Sequence, residues 1–185
     1  TVAATDLNTL RGSTSMGIYA TRLDSLKGTV ADLITAYASK WIDLGDEDIT
    51  LEDTTVAATD LNSLDGSTSG RIYASSVTRL TGTAADLNTA YASAWIRGLN
   101  NTNVTLTETT FAATDLNTLD GSTSGVIDAS SVTTLIGATV NLNTAYASAG
   151  ISGLGDEEIT LEDTTVAATD LNTLRGSTSG RIYAS

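Results

Sequence analysis

Apolar residues recur at helical spacing in one segment after another along this chain. Within residues 83–93, Leu87 and Tyr91 fall on one face of a predicted helix of two to three turns. Thr83 and Asp86 stand three residues apart at its start, in the manner of a capping box written with aspartate. We therefore predict a short helix here and in each segment of the same pattern.

The predicted helices are followed by short segments that alternate apolar and polar residues. In RIY and WIR, Ile72 and Ile96 are central, and their neighbours point to the opposite side of a strand. In VTRL and VTLT, Val77 and Val104 are expected to face inward, because β-branched residues favour strands. Each predicted helix is therefore followed by two predicted strands.

The whole pattern repeats every 54 or 55 residues, and each repeat divides into two coils of about 27 residues. We expect one domain over residues 1–185, with 55-residue units starting near residues 1, 55, 110 and 165. Two short parallel strands and a short helix per coil predict an α/β repeat solenoid, right-handed by the rule for parallel crossovers. An all-β solenoid, with DLNTL as a tight corner, is the alternative.

Two polar positions recur in the predicted helices. An aspartate near the helix start can accept hydrogen bonds from free backbone N–H groups and suits the helix dipole. It occurs at Asp6, Asp32, Asp60, Asp86, Asp115 and Asp170. An asparagine two residues further on is expected to form a side-chain ladder or turn contact. It occurs at Asn8, Asn62, Asn88, Asn117, Asn143 and Asn172. Three tyrosines of the helices are expected in the core: Tyr37, Tyr91 and Tyr146.

Composition and charge exclude several classes of function. The net charge of −13 disfavours nucleic acid and anionic membranes as partners. No apolar run approaches the roughly 20 residues of a membrane span, and no signal peptide is visible at Thr1. The sequence contains no His and no Cys, so we expect neither an enzyme nor a cofactor.

Two acidic segments and a threonine pattern are the remaining chemical candidates. LGDEDITLED (44–53) and LGDEEITLED (154–163) offer oxygen ligands to calcium, but the middle copy, LNNTNVTLTE (99–108), is nearly uncharged. We therefore interpret the acidic residues as a solvated surface and expect no metal. A predicted outward threonine column could order ice, although threonine also simply suits strands. Its members are Thr50, Thr78, Thr105, Thr133 and Thr160.

The copies differ most at the outward positions of the first strand, where GRIYAS (70–75) becomes GVIDAS (125–130). We expect these positions to form one column, in which Trp41 on one side and Trp95 on the other border Arg71 and Tyr73. Trp, Tyr and Arg are enriched at binding hot spots. The predicted partner-binding residues are Tyr19, Trp41, Arg71, Tyr73, Trp95, Arg97, Arg181 and Tyr183.

The run GSTSGVIDASSVTTLIG, followed by NLNTAYASAGISGLGDEEITLEDT, resembles the low-complexity tandem repeats of very large marine bacterial surface proteins. Some of those proteins carry calcium-binding repeats of the haemolysin type, but the glycine–aspartate nonapeptide of that class is absent from this sequence. The resemblance covers nearly the whole chain. It implies an extended, non-catalytic repeat module that is secreted or displayed at the cell surface.

The sequence thus predicts a structural and binding solenoid. Its Arg/Tyr/Trp face would contact a protein partner or another copy, end to end or face to face. A passive spacer within a longer surface protein is one alternative. An engineered repeat scaffold, with Arg, Tyr and Trp introduced to form an interface, is another.

Overall fold

Short helices recur along the chain as the sequence predicts. The computed structural model describes residues 1–184, which contain seven helices of eight to ten residues. They are α1 (Ala4–Ser13), α2 (Val30–Ala38), α3 (Ala58–Asp65), α4 (Ala84–Ala92), α5 (Ala113–Asp120), α6 (Thr139–Ala147) and α7 (Ala168–Ser177). With the parallel strands between them, they confirm the α/β repeat solenoid; the all-β alternative is wrong.

The helices begin in two different ways. At α4 the hydroxyl of Thr83 accepts from the N–H of Asp86 at 3.2 Å and donates to its carboxylate at 2.7 Å, and α2 begins with the same box. At α1, α3, α5 and α7 the residue in the Thr83 position is alanine, and no side chain caps the helix. The predicted capping box is therefore confirmed at Asp32 and Asp86 only, because only there does a hydroxyl precede the aspartate.

The repeated asparagines link successive helices. The amide of Asn8 donates to Asp32 O at 3.0 Å, and that of Asn117 donates to Asn141 O at 3.0 Å. Asn143 donates to the backbone carbonyl of Asp170 at 3.2 Å in the same way. These three asparagines therefore contact the next helix through its backbone carbonyls, rather than through the predicted ladder of side chains.

Sixteen short strands of two to four residues lie between the helices in the described chain. They are β1 (Val2–Ala3), β2 (Ile18–Tyr19), β3 (Ser25–Gly28), β4 (Ile42–Asp43), β5 (Asp48–Leu51), β6 (Thr55–Ala57), β7 (Ile72–Tyr73), β8 (Arg79–Gly82), β9 (Ile96–Arg97), β10 (Asn103–Leu106), β11 (Thr110–Ala112), β12 (Ile127–Asp128), β13 (Thr134–Gly137), β14 (Ile151–Ser152), β15 (Glu158–Leu161) and β16 (Ile182–Ala184).

Three of these strands are absent from the sequence prediction. β1, β6 and β11 come directly before α1, α3 and α5, so each 55-residue repeat holds five strands and two helices rather than four strands and two helices. Seven elements in 55 residues average about 8 residues each, so three elements complete a turn of about 24 residues. The strands accordingly pair at a shorter separation than the predicted coil length, as in Leu26↔Ile49 and Ile72↔Ile96.

The chain divides into two compact units. Unit 1 comprises residues 1–80 and 89–99, and unit 2 comprises residues 81–88 and 100–185. Unit 1 contains the parallel sheets β1-β3-β5-β7-β9 and β2-β4, and its residues Thr78 and Arg79 donate to Thr54 O, which places β8 beside β6. Unit 2 contains the parallel series β10-β12-β14 and β11-β13-β15-β16.

The inward side of each sheet is apolar and closely packed. In unit 1 Leu26, Ile49 and Ile72 are consecutive partners across three strands, and each is 0% exposed. The glycine before β7 lets the backbone approach its neighbour, because a Cβ on Gly70 would lie well under 3.0 Å from Glu47 O. Gly125 meets Thr102 O in the same way before β12. The strand frame is therefore fixed by burial and by backbone contact.

Candidate binding surfaces

The predicted single column of outward residues is divided among four groups of strands. β2 pairs with β4, β7 lies between β5 and β9, β12 lies between β10 and β14, and β16 pairs with β15. Arg71 and Tyr73 are therefore bordered by Asp48 and Thr50 on one side, and the prediction that Trp41 borders them is wrong. The reason is that strand partners are closer along the chain than the predicted coil length. β7 therefore lies beside β5, and not beside β4, which follows Trp41.

The same offset removes the predicted threonine column. Thr50 pairs with Lys27 and Tyr73, and Thr160 pairs with Ile136 and Tyr183. Thr105 pairs with an aspartate of β12, while residues 78 and 133 lie just before their strands, outside the ladders. Ice binding by a threonine ladder therefore has no basis in these strands.

The β7–β9 face, defined as Arg71, Tyr73, Trp95 and Arg97, retains much of the predicted surface. Tyr73 and Arg97 are direct cross-strand partners in adjacent strands. The indole of Trp95 is 52% exposed, and the phenol of Tyr73 is 37% exposed. Because the isoleucines beneath them are buried, these four side chains project from a rigid base.

Asp48 on β5 organises one half of the β7–β9 face. Its carboxylate accepts from the Arg71 N–H at 2.9 Å and from the Tyr73 hydroxyl at 3.4 Å. Across the described chain, no hydrogen bond or ion pair involves the side chains of Trp95 and Arg97. The face thus combines two residues held by an internal carboxylate and two whose polar groups are open.

The last two predicted site residues form the same arrangement on a different sheet. In unit 2 the Tyr183 hydroxyl donates to the Glu158 carboxylate at 3.4 Å, and Tyr183 is 44% exposed. The Tyr183 hydroxyl, and then the charge of Glu158, raise the pKa of the Arg181 guanidinium above its ordinary value. The set of carboxylate, arginine and tyrosine therefore occurs twice.

The strand that reads GVID has a different neighbour. On β10 the residue equivalent to Asp48 is Asn103, whose amide oxygen accepts from the Val126 N–H at 2.8 Å. Asp128 pairs with Thr105, and its carboxylate accepts from the Ser130 hydroxyl at 2.7 Å. Where the neighbouring strand carries a carboxylate, as on β5 and β15, the outward residues are Arg and Tyr. Where it carries the Asn103 amide, on β10, they are Val and Asp.

A second exposed cluster lies in unit 1 at β2 and β4. We call Arg11, Tyr19, Lys40 and Trp41 the Trp41 patch. The Arg11 guanidinium carbon lies 5.2 Å from the centre of the Trp41 ring, and Lys40 Nζ lies 5.9 Å from it, both within cation–π range. Tyr19 is 89% exposed and lines a cavity of about 520 Å³ together with Trp41. Two of the predicted site residues thus form their own cationic and aromatic patch.

Most carboxylates of the two acidic segments are exposed or half-buried, as the sequence suggests, but one glutamate in each segment is buried. Glu47 is fully buried, accepts from the Tyr37 hydroxyl at 3.0 Å and accepts from the Gly45 N–H at 2.9 Å. Glu157 is 1% exposed, and Tyr146 and a glycine N–H serve it in the same way. Burial, which disfavours the phenolate, raises the pKa of both tyrosines. These tyrosines are half-buried, with their hydroxyls committed to glutamate.

A second group of carboxylates caps helices in the preceding turn. Asp53 accepts from the Val30 N–H at 2.7 Å, and Asp163 accepts from the N–H and hydroxyl of Thr139 at 2.6 and 2.7 Å. Glu108 accepts from the first N–H of α4. The Thr139 hydroxyl and N–H lower the pKa of Asp163. The available signal was the recurrence of an acidic residue at this position in successive repeats, since Glu108 persists in the otherwise neutral copy.

Other kinds of site are not apparent in the described residues. Within residues 1–184 no three carboxylates are grouped to hold a metal ion. No helix in that range is long and apolar enough to cross a membrane. Comparison of the chain with protein-family models, with curated proteins and with solved structures gave no match.

Proposed function

We propose that the chain is a non-catalytic structural and binding solenoid, and that the β7–β9 face contacts a protein partner. The observation that carries this proposal is the pair Trp95 and Arg97. The indole is 52% exposed, and neither polar group is satisfied within the described chain. Large aromatic and arginine side chains raised on a rigid sheet are typical of interface hot spots.

Several properties support a binding role over a catalytic one. The sequence lacks His and Cys, and the buried glutamates Glu47 and Glu157 already accept hydrogen bonds from tyrosines. The contact residues come from two adjacent strands, so little side-chain and backbone freedom would be lost on binding. The resemblance to repeats of bacterial surface proteins supports an extracellular setting.

The passive spacer is a second candidate, and a specific observation favours it. The Tyr73 hydroxyl and the Arg71 N–H both donate to the Asp48 carboxylate. An internal role in the sheet therefore explains these two groups without a binding partner. Cross-strand side-chain pairs of this type stabilise sheets by roughly 0.2–1 kcal/mol each. Trp95 and Arg97 are not explained in this way, so a test must centre on them.

The test compares two matched variants in affinity capture from an extracellular extract of the producing cells. The face variant carries Trp95→Ser and Arg97→Ser around β9, and the control carries Val126→Ser and Asp128→Ser around β12. We expect one protein that the wild type and the control retain equally, with at least about tenfold less on the face variant, as for loss of about 1.4 kcal/mol. Equal retention by all three folded proteins would favour the spacer.

A further inference from the structure

The clearest open cavity in unit 2 lies beside Gly150. We call this cavity, of about 600 Å³ and lined in part by Asp120, Val140, Ala147 and Asp170, the Gly150 groove. Val140 on α6 is 69% exposed and lines the cavity together with Ala147. One wall carries the carboxylate at the end of α5, and the other carries the carboxylate in the first turn of α7. The groove therefore combines apolar side chains with two carboxylates and the polar side chains of Asn143, Thr144 and Ser148.

The carboxylate of Asp120 is only half satisfied. Its Oδ2 accepts from the Ser148 hydroxyl at 2.8 Å, while Oδ1 has no donor within residues 1–184. Oδ1 occupies the space beside Gly150, because a Cβ there would lie well under 3.0 Å from it. The Asp170 side chain likewise has no donor in the described chain. Two acceptor groups thus face a space that would accommodate a cation with an apolar stem.

One of the two equivalent positions in unit 1 holds the complementary chemistry, while the other has Asp65 in the place of Asp120. In the repeat, Arg11 stands where Asp120 stands, and Trp41 stands where Gly150 stands. There the guanidinium and the ammonium of Lys40 flank the indole. One unit therefore presents two cations around an exposed aromatic ring, and the other presents two carboxylates around an open groove.

The basic residues are divided unevenly between the two units. Unit 1 contains seven basic and eleven acidic residues, for a net charge of −4. Unit 2 contains two basic and eleven acidic residues, for a net charge of −9. Unit 1 is thus the less acidic unit, and the Trp41 patch brings two of its cations, Arg11 and Lys40, together in a chain of −13.

We propose that the Gly150 groove of one copy binds the Trp41 patch of a second copy. Arg11 and Lys40 would donate to Asp120 and Asp170, and Trp41 would cover Val140. The two surfaces differ, so the contact is heterologous, and each copy offers one patch and one groove for further association. It does not use the β7–β9 face, so it stands or fails independently of the proposed function. A contact of this size is weak, with an expected Kd of about 10–100 µM.

The test is a complementation experiment by sedimentation velocity. The patch variant carries Arg11→Glu and Lys40→Glu, and the groove variant carries Asp120→Lys and Asp170→Lys. At about 20 mM salt the wild type should form concentration-dependent oligomers that dissociate at about 0.5 M salt, where charges are screened within a few ångströms. Each variant alone should be monomeric. Their equimolar mixture should associate again, because the intact patch of one variant then meets the intact groove of the other, and the reversed patch and groove are also opposite in charge.

Two controls keep the result decisive. Val140→Lys blocks the groove at a position that is 69% exposed, so it tests the same contact if the double groove variant does not fold. Circular dichroism and thermal unfolding check that each variant retains the fold. A wild type that is monomeric up to about 1 mM, ten times the weakest expected Kd, would overturn the proposal. So would variants that associate as the wild type does, or a mixture that stays monomeric.

Discussion

The strand pairs β5–β7 and β10–β12 have the same register and different side chains. Ile49↔Ile72 and Thr50↔Tyr73 in the first correspond to Val104↔Ile127 and Thr105↔Asp128 in the second. The first pair carries a carboxylate with Arg and Tyr, and the second carries an amide with Val and Asp. The outward residues thus differ together on neighbouring strands, while the register and the apolar character of the inward row are kept, which suggests that outward residues are exchanged as sets.

Replacing Gly70 or Gly125 by alanine should give the largest effect, and an equal one in both pairs. Each Cβ would collide with a backbone carbonyl of the preceding turn, that of Glu47 or Thr102, which cannot move without disturbing the adjacent strand. We expect each substitution to lower the free energy of unfolding by about 3 kcal/mol, measured by urea denaturation.

Gly66→Ala and Gly121→Ala are the matched controls. Both glycines follow a helix with right-handed φ values of −73° and −71°, and a Cβ would lie at 3.5 and 3.6 Å from its nearest neighbour. Alanine there should be neutral or stabilise by up to about 1 kcal/mol. A large difference between Gly70→Ala and Gly125→Ala would show that the two strand pairs do not share one backbone.

A smaller effect is expected from weakening the contacts of Glu47, the buried glutamate that precedes β5. The equivalent residue before β10 is Thr102, so this contact is present in the first strand pair only. Tyr37→Phe removes one donor to Glu47 and should lower the free energy of unfolding by about 1–2 kcal/mol at pH 7. The pKa of Tyr37 is raised in the fold above its ordinary value of 10.0. Its stabilising contribution is therefore complete below pH 10 and declines as the pH rises above 10, where the unfolded tyrosine ionises first.

Denaturant unfolding between pH 7 and pH 11 measures this decline. It should be shallower in Tyr37→Phe and shallowest when Tyr146→Phe is added, since Tyr146 has the same environment. Tyr19→Phe, at a tyrosine that is 89% exposed, should leave the profile of the wild type unchanged. An undiminished alkaline decline in the double variant would exclude these tyrosines as its source.

The smallest effect concerns the exchanged set itself. Asp48→Asn alone should cost about 0.5–1 kcal/mol, because Tyr73 loses a charged acceptor. The triple variant Asp48→Asn, Arg71→Val, Tyr73→Asp recreates the set of β10–β12 and should return to within about 0.5 kcal/mol of the wild type. Strict additivity of the three single changes in urea denaturation would refute the exchange in sets.

The sequence predicts what depends on neighbours along the chain and fails where distant turns meet. Helical spacing locates all seven helices of the described chain, and the position of Ile72 correctly predicts a buried strand centre. β6 was missed because three residues with one buried valine carry almost no periodic signal. The prediction that Trp41 borders Arg71 was wrong because strand neighbours depend on how many elements complete a turn, which no single repeat reveals.

The prediction for the acidic residues was incomplete for a related reason. The segment around Glu47 has the composition of an exposed loop, and only the fold brings the Tyr37 hydroxyl and the Gly45 N–H to the Glu47 carboxylate. Asp53 lies next to α2 although a whole turn of the solenoid separates it from the helix start along the chain. The sequence therefore predicted Trp95 and Arg97 as exposed candidates, but could not show which residues they face.

The mismatch between the length of the repeat and the much shorter separation of strand partners has a consequence for variation and for design. Equivalent positions in successive repeats never touch one another as strand partners, so their substitutions are free to accumulate independently. Compensating changes should instead appear between residues one turn apart, as at Asp48 with Arg71. A designer who wants an unbroken stripe must therefore vary Ala3, Lys27, Thr50, Tyr73 and Arg97 together.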